Sequence, residues 1–192
     1  MAGDIIGIQG AKGSFSEQAA EVFSRNHGIK NYSISYLITS ESVLESIESE
    51  TIKYGVFAME NAQGGVVIES VEALARFRCE IIEMFHIPIS QNLLVKKGVL
   101  LGDISEVHSH QQALRQCKDY LSEHFWSRPL IEEDDTAEAA RRLSEGKMND
   151  TAAVVGSKFC SDLYGLNIIE KDIHDLKNNL TLFLGVKKLK VG

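Results

Sequence analysis

A chain of 192 residues with 44% apolar and 24% charged side chains has globular composition, and it is long enough for one large domain or two small lobes. Its net charge of −7 argues against a nucleic-acid binder, which needs a basic face, and leaves any anionic ligand to local dipoles and a few cations. Cys79, Cys117 and Cys160 are odd in number and widely spaced, with no CxxC pair, so they read as reduced structural thiols suited to the cytosol. The start Met1-Ala-Gly-Asp-Ile-Ile has no basic segment and no long apolar run, so neither a signal peptide nor a membrane span is expected.

In chain order, Ile5–Gln9 reads as a strand and Phe15–Phe23 as a helix. Ser14-x-x-Glu17 forms a capping box there, and Phe15, Ala19, Val22 and Phe23 share one face. Tyr32–Leu37 is a strand, Val43–Glu48 a helix, Tyr54–Met59 a strand and Val67–Phe77 a helix. A long extended stretch, Glu80–Val95, holds Pro88. After Gly98 the rhythm resumes with a strand at Glu106–Ser109, a helix at Gln112–His124 and a strand at Leu130–Glu133. The helix Thr136–Ser144 opens with a second capping box, Asp135-x-x-Glu138. The strand Thr151–Val155, the helix Ser157–Leu163 and the strand Thr181–Val186 complete the chain. Such alternation predicts an α/β fold with largely parallel sheets. No Pro-rich linker exists, so two lobes would be joined by crossing strands, outward through Glu80–Val95 and back between Asn167 and Asp175.

Five segments could carry chemistry. Gly7-Ile-Gln-Gly-Ala-Lys-Gly-Ser-Phe-Ser-Glu17 is a strand, a glycine-rich turn and a capped helix, which offers free N–H groups and a dipole to an anion; Ser14 either adds a hydroxyl donor or only caps. The spacing fits neither a P-loop nor a dinucleotide fingerprint. Met59-Glu-Asn-Ala-Gln-Gly-Gly65 follows a strand and offers Glu60 and Asn61 at the usual ligand edge of an α/β sheet, or else forms a simple turn. His108-Ser-His110 places two imidazoles on one side of a strand, with too few companions for a metal; His110 lies near the ligand edge or caps the next helix. His27, His86, His124 and His174 read as surface or packing residues. Ala153-Val-Val-Gly-Ser-Lys158 repeats the first design, and two such helix starts would suit a small dianion, with Lys12 and Lys158 nearby in sequence. Asn178-Asn-Leu-Thr-Leu-Phe183 is a polar turn entering an apolar strand with one hydroxyl, Thr181.

The pieces Gly10-Ala-Lys-Gly-Ser-Phe-Ser-Glu-Gln-Ala-Ala20, Glu60-Asn61 with Gly65, Ser109-His-Gln-Gln-Ala-Leu114, Asp135-Thr-Ala-Glu-Ala-Ala140, Ala153 to Gly165 and Asn178-Asn-Leu-Thr-Leu-Phe183 occur in one order. Together they resemble the catalytic domain of prephenate dehydratases over nearly the whole chain. The resemblance implies two α/β lobes like those of a type 2 periplasmic binding protein, with the active-site cleft between them. Lobe 1 would be residues 1–82 and 172–192, and lobe 2 residues 83–171. It implies a cytoplasmic carbon–oxygen lyase of phenylalanine biosynthesis that turns dianionic prephenate into phenylpyruvate without metal or organic cofactor. A homodimer or larger homo-oligomer is expected, with no nucleic-acid or membrane partner. Many family members carry a C-terminal ACT domain; a chain ending at Gly192 is expected to lack that regulation in cis.

By the same resemblance Thr181 is the catalytic donor to the leaving hydroxyl. Ser14, Asn61 and the helix starts, including that at Ser157, would hold substrate oxygens. Glu60, Gly65 and His110 would also bind substrate, and Phe183 would shape the ring pocket. The chain departs from the family pattern in places: Leu182 replaces the arginine of the Thr-Arg-Phe signature, Ala62 a Ser or Thr, Ile68 a frequent Asn, Gln91 a common His and Gln111 the Pro of Ser-His-Pro. Arogenate dehydratase stays open beside prephenate dehydratase. Leu182 also keeps open a non-aromatising prephenate decarboxylase, and Ala62, Ile68 and Leu182 a binding paralogue for small carboxylates.

Overall fold

The computed structural model describes residues 3–190. The chain begins with β1 (Asp4–Ile8), α1 (Phe15–Asn26), β2 (Tyr32–Tyr36), α2 (Ser40–Glu48), β3 (Tyr54–Asn61), β4 (Gly65–Val66), α3 (Ile68–Arg76) and β5 (Cys79–Pro88). It continues with β6 (Asn92–Val95), β7 (Glu106–His110), α4 (Gln111–Gln116), α5 (Lys118–Phe125), β8 (Leu130–Glu133), α6 (Thr136–Ser144), β9 (Ala152–Gly156), α7 (Lys158–Tyr164) and β10 (Asn167–Glu170). The last strand is β11 (Leu180–Lys188). Two compact units result, residues 3–88 with 180–190, and Ile89–Asn179. Their borders fall later than the expected 82/83 and 171/172, because β5 and β11 pair to their ends, with Leu180 opposite Pro88.

The sheet of unit 1 has the order β2-β1-β3-β11-β5, with β4 on β3. The β1–β2 and β1–β3 pairs are parallel, while β11 runs antiparallel to both of its neighbours. Unit 2 repeats the design in the order β10-β6-β9-β7-β8; β7 is parallel to β8 and β9, and β6 is antiparallel to β9 and β10. Largely parallel sheets were expected, but the strands that carry the chain between units enter each sheet antiparallel. The expected extended stretch Glu80–Val95 divides into β5 and β6, which belong to different units. The expected helix Gln112–His124 is broken at fully buried Cys117, where φ −117° and ψ 20° leave the helical region. Apolar periodicity runs through that break, so pattern alone missed it.

On one face of the unit 1 sheet α2 and α3 cover Phe57, Leu184 and Val186. On the other, Phe23 of α1 stacks on Phe85, which stacks on Phe183, with centroids 6.4 and 6.1 Å apart. Gly185 permits that approach, since a Cβ there would lie 2.3 Å from the Phe23 ring. In unit 2 one face buries Leu93, Val95, Val107, Leu121 and Phe125, and the other Leu94, Ala140, Leu143 and Val154. Among the described residues no helix is long and apolar enough to cross a membrane.

Candidate active site

Unit 1 gathers its polar side chains at the carboxyl edge of β1 and β3. The chain leaves β1 through Gln9 and turns at Gly10, whose φ of +148° is glycine territory. A Cβ at Gly10 would meet Ser14 Oγ at 2.6 Å, so a bare α-carbon lets the serine fold over the turn. Ser14 caps α1, its Oγ accepting from Glu17 N at 3.4 Å. The reciprocal half of the expected capping box does not form. Glu17 instead accepts from Gly13 N at 2.7 Å and from Tyr36 Oη at 2.7 Å, which fastens the turn to β2. The Gly13 N–H is therefore engaged by a carboxylate. Gln9 extends the β1–β3 ladder where the β1 backbone peels away: its Oε1 accepts from Ala58 N at 3.1 Å, and its Nε2 donates to Glu69 at the start of α3.

Glu60 and Asn61 end β3 and sit directly opposite Leu182 and Thr181 of β11. β4 turns back against them, with Gly65 opposite Asn61. The Asn61 Oδ1 accepts from Gln63 N at 3.1 Å and Gly64 N at 2.7 Å, and its Nδ2 donates to Thr181 Oγ1 at 2.9 Å. Thr181 is buried, and so is Phe183, which belongs to the aromatic stack. Leu182 lies in a row with Glu60 on one side and His86 on the other. The β3–β11 register shifts at this point, Leu182 facing Glu60 and Phe183 facing Ala58, so that Met59 of β3 is the unopposed residue. Tyr36 is the residue here that sequence reading did not single out; it ends β2, two residues before the bend at Ile38.

In unit 2, His110 and Gly156 end the adjacent parallel strands β7 and β9. His110 caps α4, its Nδ1 accepting from Gln112 N at 3.2 Å, which puts the ring proton of a neutral imidazole on the exposed Nε2. Ser157 caps α7 through Cys160 N at 3.0 Å. Ser109 and Thr136, both from matched segments, knit β7 to α6 and β9: Ser109 Oγ donates to Val155 O at 2.7 Å and lies 2.9 Å from Thr136 Oγ1. His108 is buried beside Glu133 at 2.8 Å, and Glu133 also takes Arg142 Nη1 at 2.8 Å. Glu106 Oε1 lies 3.3 Å from His108 Nε2 as an ion contact without aligned hydrogen-bond geometry. Buried Gln91 donates its Nε2 to Gln116 Oε1 at 3.0 Å, and its backbone N–H donates to His174 Nδ1 at 3.3 Å. An imidazole thus stands beside Gln91 after all, from a residue that reads in sequence as packing or surface.

Lys158 Nζ is 2.5 Å from Asp162 on the solvent side of α7, an exposed i,i+4 pair. Among the described residues no three His, Cys, Asp or Glu side chains come together as a metal-holding group. Burial pushes the Cys117 thiol up to about 12 and also raises that of Cys79, so neither is a ready nucleophile at neutral pH.

A family model described as prephenate dehydratase matches residues 6–191. The chain is 34% identical over 182 residues to an arogenate dehydratase/prephenate dehydratase 2 of Arabidopsis thaliana, covering 93% of this chain and 45% of that protein. It spans about half the length of that relative and of the next one it matches. The crystal structure of a prephenate dehydratase from Arthrobacter aurescens in complex with L-Phe superposes with TM-score 0.85 at 24% identity, covering 97% of this chain and 61% of the other. A periplasmic substrate-binding protein of an ABC transporter from Coxiella burnetii shares the fold more distantly, with TM-score 0.51 at 12% identity, covering 96% and 84%.

Proposed function

We propose that this chain, which belongs to the prephenate dehydratase family, converts prephenate to phenylpyruvate, carbon dioxide and water. In that reaction the bond from the ring to its carboxylate breaks, and its electron pair completes the aromatic ring. The C4 hydroxyl leaves, and one proton joins it to make water. The observation that carries the reading is the Thr181 hydroxyl, retained on β11 and held at 2.9 Å by Asn61. A threonine has no useful acidity, so Thr181 would act as a positioned donor that relays a proton from solvent. In unit 1 Ser14, Glu60 and Gly65 would meet substrate oxygens. Phe183 would act from behind, fixing the strand through its aromatic stack.

The reading includes a cytoplasmic location, no cofactor, and assembly as a homodimer or larger homo-oligomer, which sedimentation would measure. Steady-state rates of phenylpyruvate and phenylalanine formation from prephenate and arogenate test the activity. Turnover of prephenate is expected, the ratio of the two kcat/KM values decides between prephenate and arogenate as preferred substrate, and no turnover of either would overturn the reading. One observation favours a second one. Leu182 puts an apolar side chain between Glu60 and His86, where the family signature has arginine. That would suit loss of carbon dioxide with the hydroxyl kept, as in non-aromatising decarboxylases.

A further inference from the structure

We infer that Asn61 is a positioning residue that acts through Thr181, rather than a residue that binds substrate. The inference rests on the reading of Thr181 as leaving-group donor. The orientation of the Asn61 amide is fixed from outside. Gln63 N–H and Gly64 N–H both point at one end of it, at 3.1 and 2.7 Å, and only the oxygen can accept them. The nitrogen must then face β11, where it donates to Thr181 Oγ1 at 2.9 Å and, more weakly, to Leu180 O at 3.4 Å. A hydroxyl that accepts from an N–H cannot direct its own proton back along the same line. No hydrogen bond among the described residues takes up the Thr181 proton. The turn after β3 thus sets the polarity of the threonine: Oγ1 is held as an acceptor on the Asn61 side, and its O–H remains to donate elsewhere. The register supports this pairing, since Asn61 and Thr181 are direct cross-strand partners.

The test is a reversal of that polarity. In Asn61→Asp the carboxylate can still accept from Gln63 N–H and Gly64 N–H, so the turn has reason to persist, but it has no proton to give Thr181. The Thr181 hydroxyl then donates to Asp and is lost to the leaving group. The expected result at pH 8 is a fall in kcat of about 100-fold, the usual cost of losing one such donor, with KM within threefold of the parent. A protonated carboxyl can donate again, so the ratio of variant to parent rate should rise as the pH falls from 8 to 5, each point corrected by a no-enzyme control. A raised KM with unchanged kcat would overturn the inference and return Asn61 to substrate binding, as would a rate ratio flat with pH. A second readout does not depend on turnover. In the 1H–15N spectrum the Asn61 side-chain amide proton should move upfield in Thr181→Val. If it stays in place the hydrogen bond is absent and the inference falls, whatever the activity; if it moves and the parent turns over neither substrate, the proposed function fails instead.

Discussion

Replacing Thr181 by valine separates the catalytic from the structural part of this residue. Valine matches threonine in shape, so the buried β11 position should lose no packing. One hydrogen bond disappears, that from Asn61 Nδ2 at 2.9 Å. Asn61 is only partly buried and water can reach it, so the net cost should be near the lower end for a lost hydrogen bond, about 1 kcal/mol. For a chain of this size that corresponds to a fall in Tm of about 2–4 °C. The catalytic loss should be far larger. Deleting a preorganised donor costs about 2.7–4 kcal/mol in barrier, or about 100- to 1000-fold in kcat. Thr181→Ser keeps the oxygen and its proton and should stay within about tenfold of the parent, the methyl loss costing on the order of 1 kcal/mol in stability. The assay is phenylpyruvate formation beside thermal unfolding by circular dichroism. A Thr181→Val protein with kcat within threefold of the parent would refute the assigned role; a Tm drop above 10 °C would refute the structural half of the argument.

Leu182→Arg places a guanidinium opposite Glu60 on a partly exposed row of the sheet, where a cross-strand ion pair contributes about 0.2–1 kcal/mol; the variant should fold normally and raise kcat/KM for prephenate at least several-fold, and an unchanged value would show that the leucine is not limiting. Gly185→Ala drives a methyl to 2.3 Å from the Phe23 ring and should cost about 1–3 kcal/mol or more, read as a lowered urea midpoint. The Cys117 thiol is pushed from its ordinary value near 9 up to about 12, first by burial and then by Asp175. Its folded pKa exceeds the unfolded one, so the unfolded state loses its proton first as the pH rises and stability falls between about 9 and 12. Cys117→Ala should therefore lose less stability than the parent between pH 8 and 10.5; an equal loss would contradict the assignment.

Much of the fold was legible because α/β alternation imposes its period on the sequence. Leu130–Glu133 and Thr136–Ser144 end where the pattern ends, and Ser14 and Asp135 mark their helices as caps. β10 escaped because Asn167–Glu170 is a short edge strand with two apolar residues, too little for a period. The break at Cys117 escaped because a buried residue satisfies the apolar stripe whether or not its backbone is helical. The site was legible as segments but not as bonds. Ser14, Asn61 and Thr181 stand out as polar residues beside turns, yet the sequence holds no sign that Asn61 spends its amide on Gly64 and Thr181. Glu17 appears in sequence as half of a capping box; only the approach of Tyr36, set by β1–β2 pairing, diverts it to the glycine turn.

The most direct test of the central claim is a proton NMR time course of the purified protein with prephenate at neutral pH, beside a no-enzyme control because the compound aromatises spontaneously in acid. The account predicts aromatic phenylpyruvate signals growing above the control, and losing that excess in Thr181→Val. A non-aromatic product that keeps its hydroxyl would contradict it and make the chain a decarboxylase, and a spectrum unchanged beyond the control would contradict prephenate turnover altogether.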